Sequence, residues 1–173
     1  MSHLEIIAFP HPILKRKAEP VAGMTPELRR LVKDMTETMY QAPGVGLAAN
    51  QVGVAKQLAV LDVSSPEEPN QTIVLVNPSI VECSLETETL EEACLSVPGF
   101  RAEVERAIMV TVLAKNLEGE EIKLNAQGFL ARVLQHEIDH LNGRLFIDRI
   151  GRLKRERYVK QRKQELSEAK KKK

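Results

Sequence analysis

The sequence predicts an α+β fold in which antiparallel β-sheets pack around a central helix, with one further helix near each end of the chain. Helical patterns occur at the start, the centre and the end of the chain, and short apolar, β-branched runs lie between them. The connections between these runs are short, which favours antiparallel pairing. The 173 residues suffice for one domain with a sizeable core.

Composition argues against several classes of protein. The formal net charge of +1 gives no support for a DNA-binding protein. The segment from Met1 to Pro10 lacks the basic start and long apolar run of a signal peptide or membrane span, so we expect a cytoplasmic protein without a membrane partner. In that reducing compartment Cys83 and Cys94 are expected to be buried, metal-bound or reactive rather than joined in a disulfide.

The N-terminal helix follows an extended opening, because Phe9-Pro-His-Pro contains two prolines that block a helix. His11, between those prolines, is expected to face solvent. Thr25 is predicted to be the N-cap of this helix and Pro26 its first residue. The helix should end near Pro43-Gly44. Its apolar face comprises Leu28, Leu31, Val32, Met35 and Met39.

A loop of small residues runs from Gly44 to Gly53 and carries the amide side chain of Gln51 near its end. Its glycines are not spaced as in a Rossmann or phosphate-binding loop, so a tight turn and a binding site both remain open. Several strands are then predicted, with Cys83 packed as a small hydrophobe in the third. They are Leu58–Val63, Thr72–Val76, Ser79–Leu85, the long region Arg101–Asn116 and, after a hairpin turn at Leu117–Glu120, Ile122–Leu124.

The central helix is predicted to start at Ala126 and to carry two stripes. One stripe is apolar and continues into two histidines, which therefore point inward; its members are Phe129, Val133, His136 and His140. The other stripe is polar and is expected to face water; its members are Arg132, Gln135, Asp139 and Asn142.

His136 and His140 lie four residues apart, which is the geometry for holding one metal ion with two imidazoles from a helix face. Glu137 is close enough to handle the proton of a metal-bound water. A buried helix whose histidines only form hydrogen bonds is the alternative. Cys94 lies beside a Pro-Gly turn that interrupts the strands, and it is the candidate third ligand. A Cys, His, His set leaves a fourth position open for water, as in a catalytic site.

Three motifs together resemble the signature of peptide deformylase, in order and in spacing. They are Gly44-Val-Gly-Leu-Ala-Ala-Asn-Gln51, Glu92-Ala-Cys-Leu-Ser96 and His136-Glu-Ile-Asp-His140. The likeness covers nearly the whole chain. One departure is Ala93, which stands where the family commonly has glycine, and we expect activity to survive this added methyl group.

The resemblance implies a hydrolase that removes the formyl group from the N-terminal formylmethionine of newly made bacterial proteins and releases formate. Cys94, His136 and His140 would bind one divalent metal ion, with Fe²⁺ expected and Zn²⁺, Ni²⁺ or Co²⁺ able to substitute. A metal-bound hydroxide would attack the formyl carbonyl, with Glu137 as general acid and base. The Gln51 amide and the backbone N–H of Leu95 match the oxyanion donors of the family.

The resemblance also implies substrate contacts. Val45, Gly46 and Leu47 match the strand along which the substrate backbone lies, in the manner of strand addition. Phe129 and Val133 would form the methionine pocket, and Arg132 would at most lie at its solvent-facing rim. Arg101 matches a position that binds the substrate backbone, and Glu92 either helps to hold the metal-site loop or forms a structural salt bridge.

We expect a catalytic domain at 1–150 and a polar C-terminal helix with a basic tail at 151–173. The helix should run from Arg152 to about Ala169, with a pair between Glu156 and Lys160, and end in Lys170 to Lys173. Such a helix resembles the bacterial subgroup that docks on the ribosome near the nascent-chain exit. Two alternatives remain, a zincin-like metallopeptidase and a noncatalytic ribosome-associated module.

Overall fold

The computed structural model describes residues 3–65, 67–68 and 70–171. The ends of the predicted N-terminal segment and lysine tail, and two prolines of the loop after the first predicted strand, lie outside this range; they are Met1, Ser2, Pro66, Pro69, Lys172 and Lys173. The helices are α1 (Pro26–Gln41), α2 (Gly128–Leu141) and α3 (Arg152–Lys171). The strands are β1 (Gly46–Ala48), β2 (Leu58–Leu61), β3 (Ile73–Cys83), β4 (Thr87–Cys94), β5 (Val97–Ala107), β6 (Met109–Lys115) and β7 (Glu121–Gln127).

The strands form two antiparallel sheets. The larger sheet has the order β1-β2-β3-β6-β7, which places β1 at an edge, and the smaller sheet is the β4–β5 hairpin. Helix α2 packs on the larger sheet, because its Ala131, Leu134 and Leu141 share one core cluster with buried residues of β2, β3 and β6. The predicted α+β class, with sheets around a central helix and a helix toward each end, is confirmed.

The strand boundaries differ from the prediction in the middle of the chain. Thr72–Val76 and Ser79–Leu85 were expected as separate strands, but one strand, β3, spans both. The interruption is a register shift between Val76 and Ser79, where Asn77 has a φ of 51°. The Asn77 side chain compensates by bonding the backbone N–H and C=O of Val21 at 2.7 and 2.8 Å.

The predicted strand region Arg101–Asn116 divides between the two sheets. Strand β5 pairs with β4, whereas β6 pairs with β3 and β7, and Ile108 is the single residue between them. The segment around Cys94, expected to interrupt the strands, is instead the tight turn of the β4–β5 hairpin. Cys83 is exposed, so its predicted packing is wrong: it ends β3, where the chain leaves the core.

The helix predictions hold with small shifts. Thr25 caps α1 through a hydrogen bond from the Leu28 N–H at 3.3 Å. The inner face of α1 carries buried residues at the predicted positions, namely Val32, Met35 and Met39. Helix α2 begins at Gly128, two residues after the predicted start, because β7 extends to Gln127.

Helix α3 lies against the N-terminal segment and β5 through Tyr158, and Arg162 Nε donates to the Phe9 C=O at 3.0 Å. Tyr158 is buried, and its ring lies 4.7 Å from that of Phe100 and 5.9 Å from that of Phe9. Elsewhere the helix is largely polar, and Glu156 pairs with Arg152 at 2.6 Å rather than with Lys160 as predicted. Among the residues placed by the structure, no helix is both long and apolar enough to cross a membrane.

A buried carboxylate ties the end of β2 to α1. Asp62 is 7% exposed. It accepts hydrogen bonds from the Ser64 N–H and O–H, the Gln71 N–H and the Tyr40 hydroxyl, at 2.5 to 2.8 Å. Burial acts to raise the pKa of Asp62, but these hydrogen bonds outweigh it and lower the pKa from 3.8 to about 2.

Replacing this carboxylate should destabilise the fold in a pH-dependent way. Asp62→Asn should lower the free energy of unfolding near neutral pH by about 1–2 kcal/mol, because an amide accepts these bonds more weakly and brings N–H groups against donors. The pKa of Asp62 in the folded protein lies below its ordinary value. The extra stability of the wild type is therefore fully present above a pH of 3.8 and is lost as the pH falls through about 2.

Urea unfolding of the metal-free proteins across this acidic range measures the difference. Glu118→Gln, at an exposed position in the β6–β7 turn, is the matched control and should change stability by less than about 0.5 kcal/mol. Equal effects of the two substitutions would contradict a stabilising role for the Asp62 network.

Candidate active site

A pocket of about 470 Å³ opens between the segment before β1, the turn of the β4–β5 hairpin and helix α2. Most of the residues predicted to form the site line this pocket. They are Val45, Gly46, Gln51, Glu92, Cys94, Leu95, Arg101, Phe129, Val133, His136 and Glu137. Leu47 and His140 do not line it, because Leu47 is buried in a core cluster and His140 lies at the inner end of the site.

Cys94, His136 and His140 bring three ligand atoms to one point. The Cys94 Sγ lies 3.2 Å from the His140 Nε2, which in turn lies 3.2 Å from the His136 Nε2. All three atoms lie within 4.8 Å of one another. Ligand atoms of a tetrahedral site with bonds of 2.0–2.3 Å are separated by roughly 3.3 Å or slightly more, so this set fits one metal ion.

The pKa directions of the two imidazoles reflect this crowding. Burial acts to lower the pKa of His136, but hydrogen bonds with Cys94 and Glu92 raise it well above its ordinary value. Burial, together with the charge of His136, lowers the pKa of His140 well below its ordinary value. The pKa values of the two imidazoles are therefore driven apart within one small space, which is an arrangement that a shared cation suits.

Gln51 lies in a short 3-10 helix, Ala49–Val52, directly after β1. Its Oε1 accepts the Ala48 N–H at 2.9 Å, which leaves its amide group to face the hairpin. There the Nε2 donates to the Ser96 Oγ at 3.1 Å and lies 3.6 Å from the Cys94 Sγ. The amide is thus fixed beside Cys94 from a distant part of the chain.

Glu137 is 3% exposed and lies beneath Gly46. A Cβ atom at Gly46 would lie 2.3 Å from the Glu137 Oε1, a distance that no real contact allows. Glycine is therefore required here by the approach of this carboxylate. The Glu137 Oε2 has no hydrogen-bond partner within the described part of the chain. Burial raises the pKa of Glu137 to about 7.

Glu92 is held by buried hydrogen-bond donors from β5 and α2. Its Oε2 lies 2.9 Å from the His136 Nδ1, on the side of the ring opposite the Nε2 that faces His140. Arg106 binds both carboxylate oxygens, through Nε at 2.9 Å and an Nη at 3.0 Å. Burial acts to raise the pKa of Glu92, but hydrogen bonds with Arg106 and His136 outweigh it and hold the pKa well below its usual range. The contact with His136 supports the prediction that Glu92 helps to hold the metal site, and the ion pair with Arg106 supports the alternative of a structural salt bridge.

The expected polar stripe of α2 does not face water. Arg132 is 6% exposed, and Gln135 and Asp139 are also buried, whereas Asn142 is exposed as predicted. The β4–β5 hairpin covers this side of the helix and supplies the polar partners, including the Ala107 N–H and C=O for Gln135. The assignment of Arg132 to a solvent-facing rim is therefore wrong.

The apolar stripe also needs one correction. Phe129 was expected to point inward, but it is 56% exposed and borders the pocket mouth. Val133 and His140 are buried as expected, and His136 is partly buried. Phe129 lies in the first turn of α2, before the run of buried residues that begins at Ala131.

Arg106 was missed by sequence reasoning, although its pattern was readable. Ala102, Val104 and Arg106 occupy alternate, buried positions of β5, so a period of two places Arg106 on the inner face. A buried arginine needs carboxylate partners, and it finds Glu92 and Asp139, the latter at 2.5 Å. Arg101, by contrast, is exposed and pairs with Glu91 at 3.4 Å at the pocket mouth.

Comparison with known proteins agrees with this geometry. The sequence model of the polypeptide deformylase family matches residues 3–156. The peptide deformylase of Rhizobium meliloti (strain 1021) is 50% identical over 155 residues, which are 90% of this chain and 89% of that protein. The peptide deformylase of Syntrophobacter fumaroxidans is 47% identical over 169 residues, which are 98% and 99% of the two chains.

A solved structure shows the same fold. The crystal structure of peptide deformylase from Ehrlichia chaffeensis in complex with actinonin superimposes with a TM-score of 0.89 at 40% identity, over 95% of this chain and 98% of that one. With a family match over most of the chain and relatives near 50% identity, the chain belongs to the polypeptide deformylase family, a family of hydrolases.

Proposed function

We propose that this chain removes the formyl group from the N-terminal formylmethionine of newly made proteins and releases formate. The observation that carries the proposal is the convergence of Cys94, His136 and His140 beside the buried Glu137, in a pocket next to the edge strand β1. Membership of the deformylase family supports the same reaction.

One thiolate and two imidazoles, from Cys94, His136 and His140, would hold a divalent metal ion. We propose Fe²⁺ as the native ion, and the same donor types also suit Zn²⁺, Ni²⁺ and Co²⁺. When bound, such an ion supplies Lewis-acid chemistry and lowers the pKa of a water molecule. Glu92 would keep His136 in place by accepting a hydrogen bond from its Nδ1–H.

Glu137 would move the protons of the reaction. Its carboxylate would accept a proton from the attacking water and deliver it to the nitrogen of the leaving amine, which departs poorly as an anion. A pKa near 7 suits both steps at neutral pH. The Gln51 amide and the Leu95 N–H would donate hydrogen bonds to the oxygen on which negative charge develops.

The substrate would bind along the outer edge of β1. An edge strand has one side of its backbone free, and the segment of Val45, Gly46 and Leu47 would use that side to pair with an extended peptide. The Val45 C=O does not belong to this free side, because it accepts the Asp62 N–H at 3.0 Å. This assignment needs only the backbone of Leu47, whose side chain is buried in the core. Phe129 and Val133 would contact the methionine side chain.

The mouth of the pocket would contact the peptide beyond its first residue. Arg101 would bind the peptide backbone beyond the methionine.

We further propose that 1–150 is the catalytic domain and that the 151–173 segment contacts the ribosome near the nascent-chain exit in the cytoplasm. The mostly exposed, basic residues of α3 support that contact.

A formate-release assay under anaerobic conditions tests the proposal and separates it from the alternatives. Metal-loaded protein should release formate from a formyl-Met peptide and leave internal peptide bonds intact. Internal cleavage would indicate a metallopeptidase, and the absence of both products would indicate a noncatalytic module.

Glu137→Gln should bind the metal equally well and lose about 10²–10⁴-fold in kcat, because an amide cannot take over the proton transfer assigned to this carboxylate. Loss of metal in proportion to activity would contradict that role.

Gly46→Ala should impair catalysis through Glu137. The added Cβ would lie 2.3 Å from the Glu137 Oε1 and push the carboxylate away from its buried position. We expect kcat to fall by about 10²-fold or more, since a proton-transfer group that is displaced loses most of its contribution. Steady-state kinetics and metal analysis of the purified variant measure this effect.

Gly23→Ala is the matched control for this substitution, because a Cβ there meets no atom within 4 Å. It should leave kcat and metal content unchanged. If Gly46→Ala were as active as the control, the contact between Gly46 and Glu137 could not be the reason for glycine at that position.

A further inference from the structure

We propose that Arg132 is a positioning residue that fixes the β4–β5 hairpin on helix α2 and thereby sets the affinity of the site for its metal. This inference rests on the proposed function, because it assumes that Cys94, His136 and His140 bind one ion. Arg132 is not itself a ligand, because its guanidinium is a cation with donors only, and it donates to one carboxylate and two carbonyl groups.

The guanidinium of Arg132 reaches both strands of the hairpin. One Nη donates to the Val104 C=O of β5 at 2.9 Å, and the other donates to the Glu88 C=O of β4 at 2.8 Å. The first Nη also donates to the Glu92 Oε1 at 2.8 Å. The planar guanidinium group has several N–H donors in fixed directions, so it can bond three acceptors at once. The compact ammonium group of a lysine cannot reproduce this geometry.

These contacts matter because the ligand set is divided between two elements. Cys94 ends β4, whereas His136 and His140 belong to α2. Any displacement of the hairpin relative to the helix therefore changes the 3.2 Å separation between the Cys94 Sγ and the His140 Nε2. Arg132 lies one helical turn before His136 and joins the two elements directly beside the ligands.

Arg132 also acts on His136 through Glu92. The Glu92 Oε1 binds Arg132, and the Oε2 lies 2.9 Å from the His136 Nδ1, so Arg132 helps to set the orientation of the carboxylate that supports the imidazole. Arg106 binds both oxygens of Glu92 independently. Loss of Arg132 would therefore leave the buried carboxylate paired, and we expect its variants to fold.

The test compares Arg132→Met, Arg132→Lys and the exposed control Arg29→Met on α1 with the wild-type protein. Zn²⁺ affinity is measured by competition with a chelator, and thermal unfolding is measured on the metal-free proteins. Arg132→Met should raise the Kd for Zn²⁺ by about 10- to 100-fold, the usual effect of losing a group that supports a ligand. Arg132→Lys should also weaken binding, while the control should bind as the wild type does.

A purely structural role would give a different result. In that case both Arg132 variants would unfold at lower temperature but bind Zn²⁺ with wild-type affinity while folded, and the inference would be overturned. Arg132→Lys keeps the charge, so it provides the affinity measurement if Arg132→Met does not fold. Wild-type protein that binds no Zn²⁺ would refute the metal centre of the proposed function, and this inference with it.

Discussion

The carboxylate of Glu92 accepts hydrogen bonds from three side chains that belong to two parts of the fold. Arg106 lies in the same hairpin as Glu92, while Arg132 and His136 lie on α2. Buried ion pairs contribute little net stability, because the cost of removing the charges from water offsets their attraction. The cluster therefore acts mainly on geometry: it keeps the hairpin that carries Cys94 against the helix that carries the histidines.

The rest of the site depends on close approaches to this helix. Glu137 occupies space that only a glycine at position 46 leaves free, and the edge strand that contains Gly46 passes directly over it. Gln51 approaches the same pocket from the 3-10 helix that follows β1, where its side-chain oxygen accepts the Ala48 N–H. Three segments distant in sequence, 43–51, 91–101 and 129–137, thus meet at one pocket.

The sequence was sufficient to predict the fold class and most of the residues that line the pocket, because their motifs have a recognisable order and spacing. It was insufficient where burial depends on a second element. Arg132 and Asp139 appeared solvent-facing because polar residues usually are, yet the hairpin covers them and satisfies their charges. Cys83 appeared buried for the converse reason: the strand alternation does not reveal that β3 extends beyond the core.

We propose that one metal ion binds to one sulfur and two imidazole nitrogens of this chain. X-ray absorption spectroscopy of zinc-loaded protein tests it most directly, with Cys94→Ser and the exposed Cys83→Ser as a matched pair. We expect one Zn–S distance of about 2.3 Å and two Zn–N distances of about 2.0 Å in the wild type and in Cys83→Ser. The sulfur contribution should be absent from Cys94→Ser. A sulfur ligand that persists in Cys94→Ser, or a wild-type spectrum without sulfur, would contradict the account.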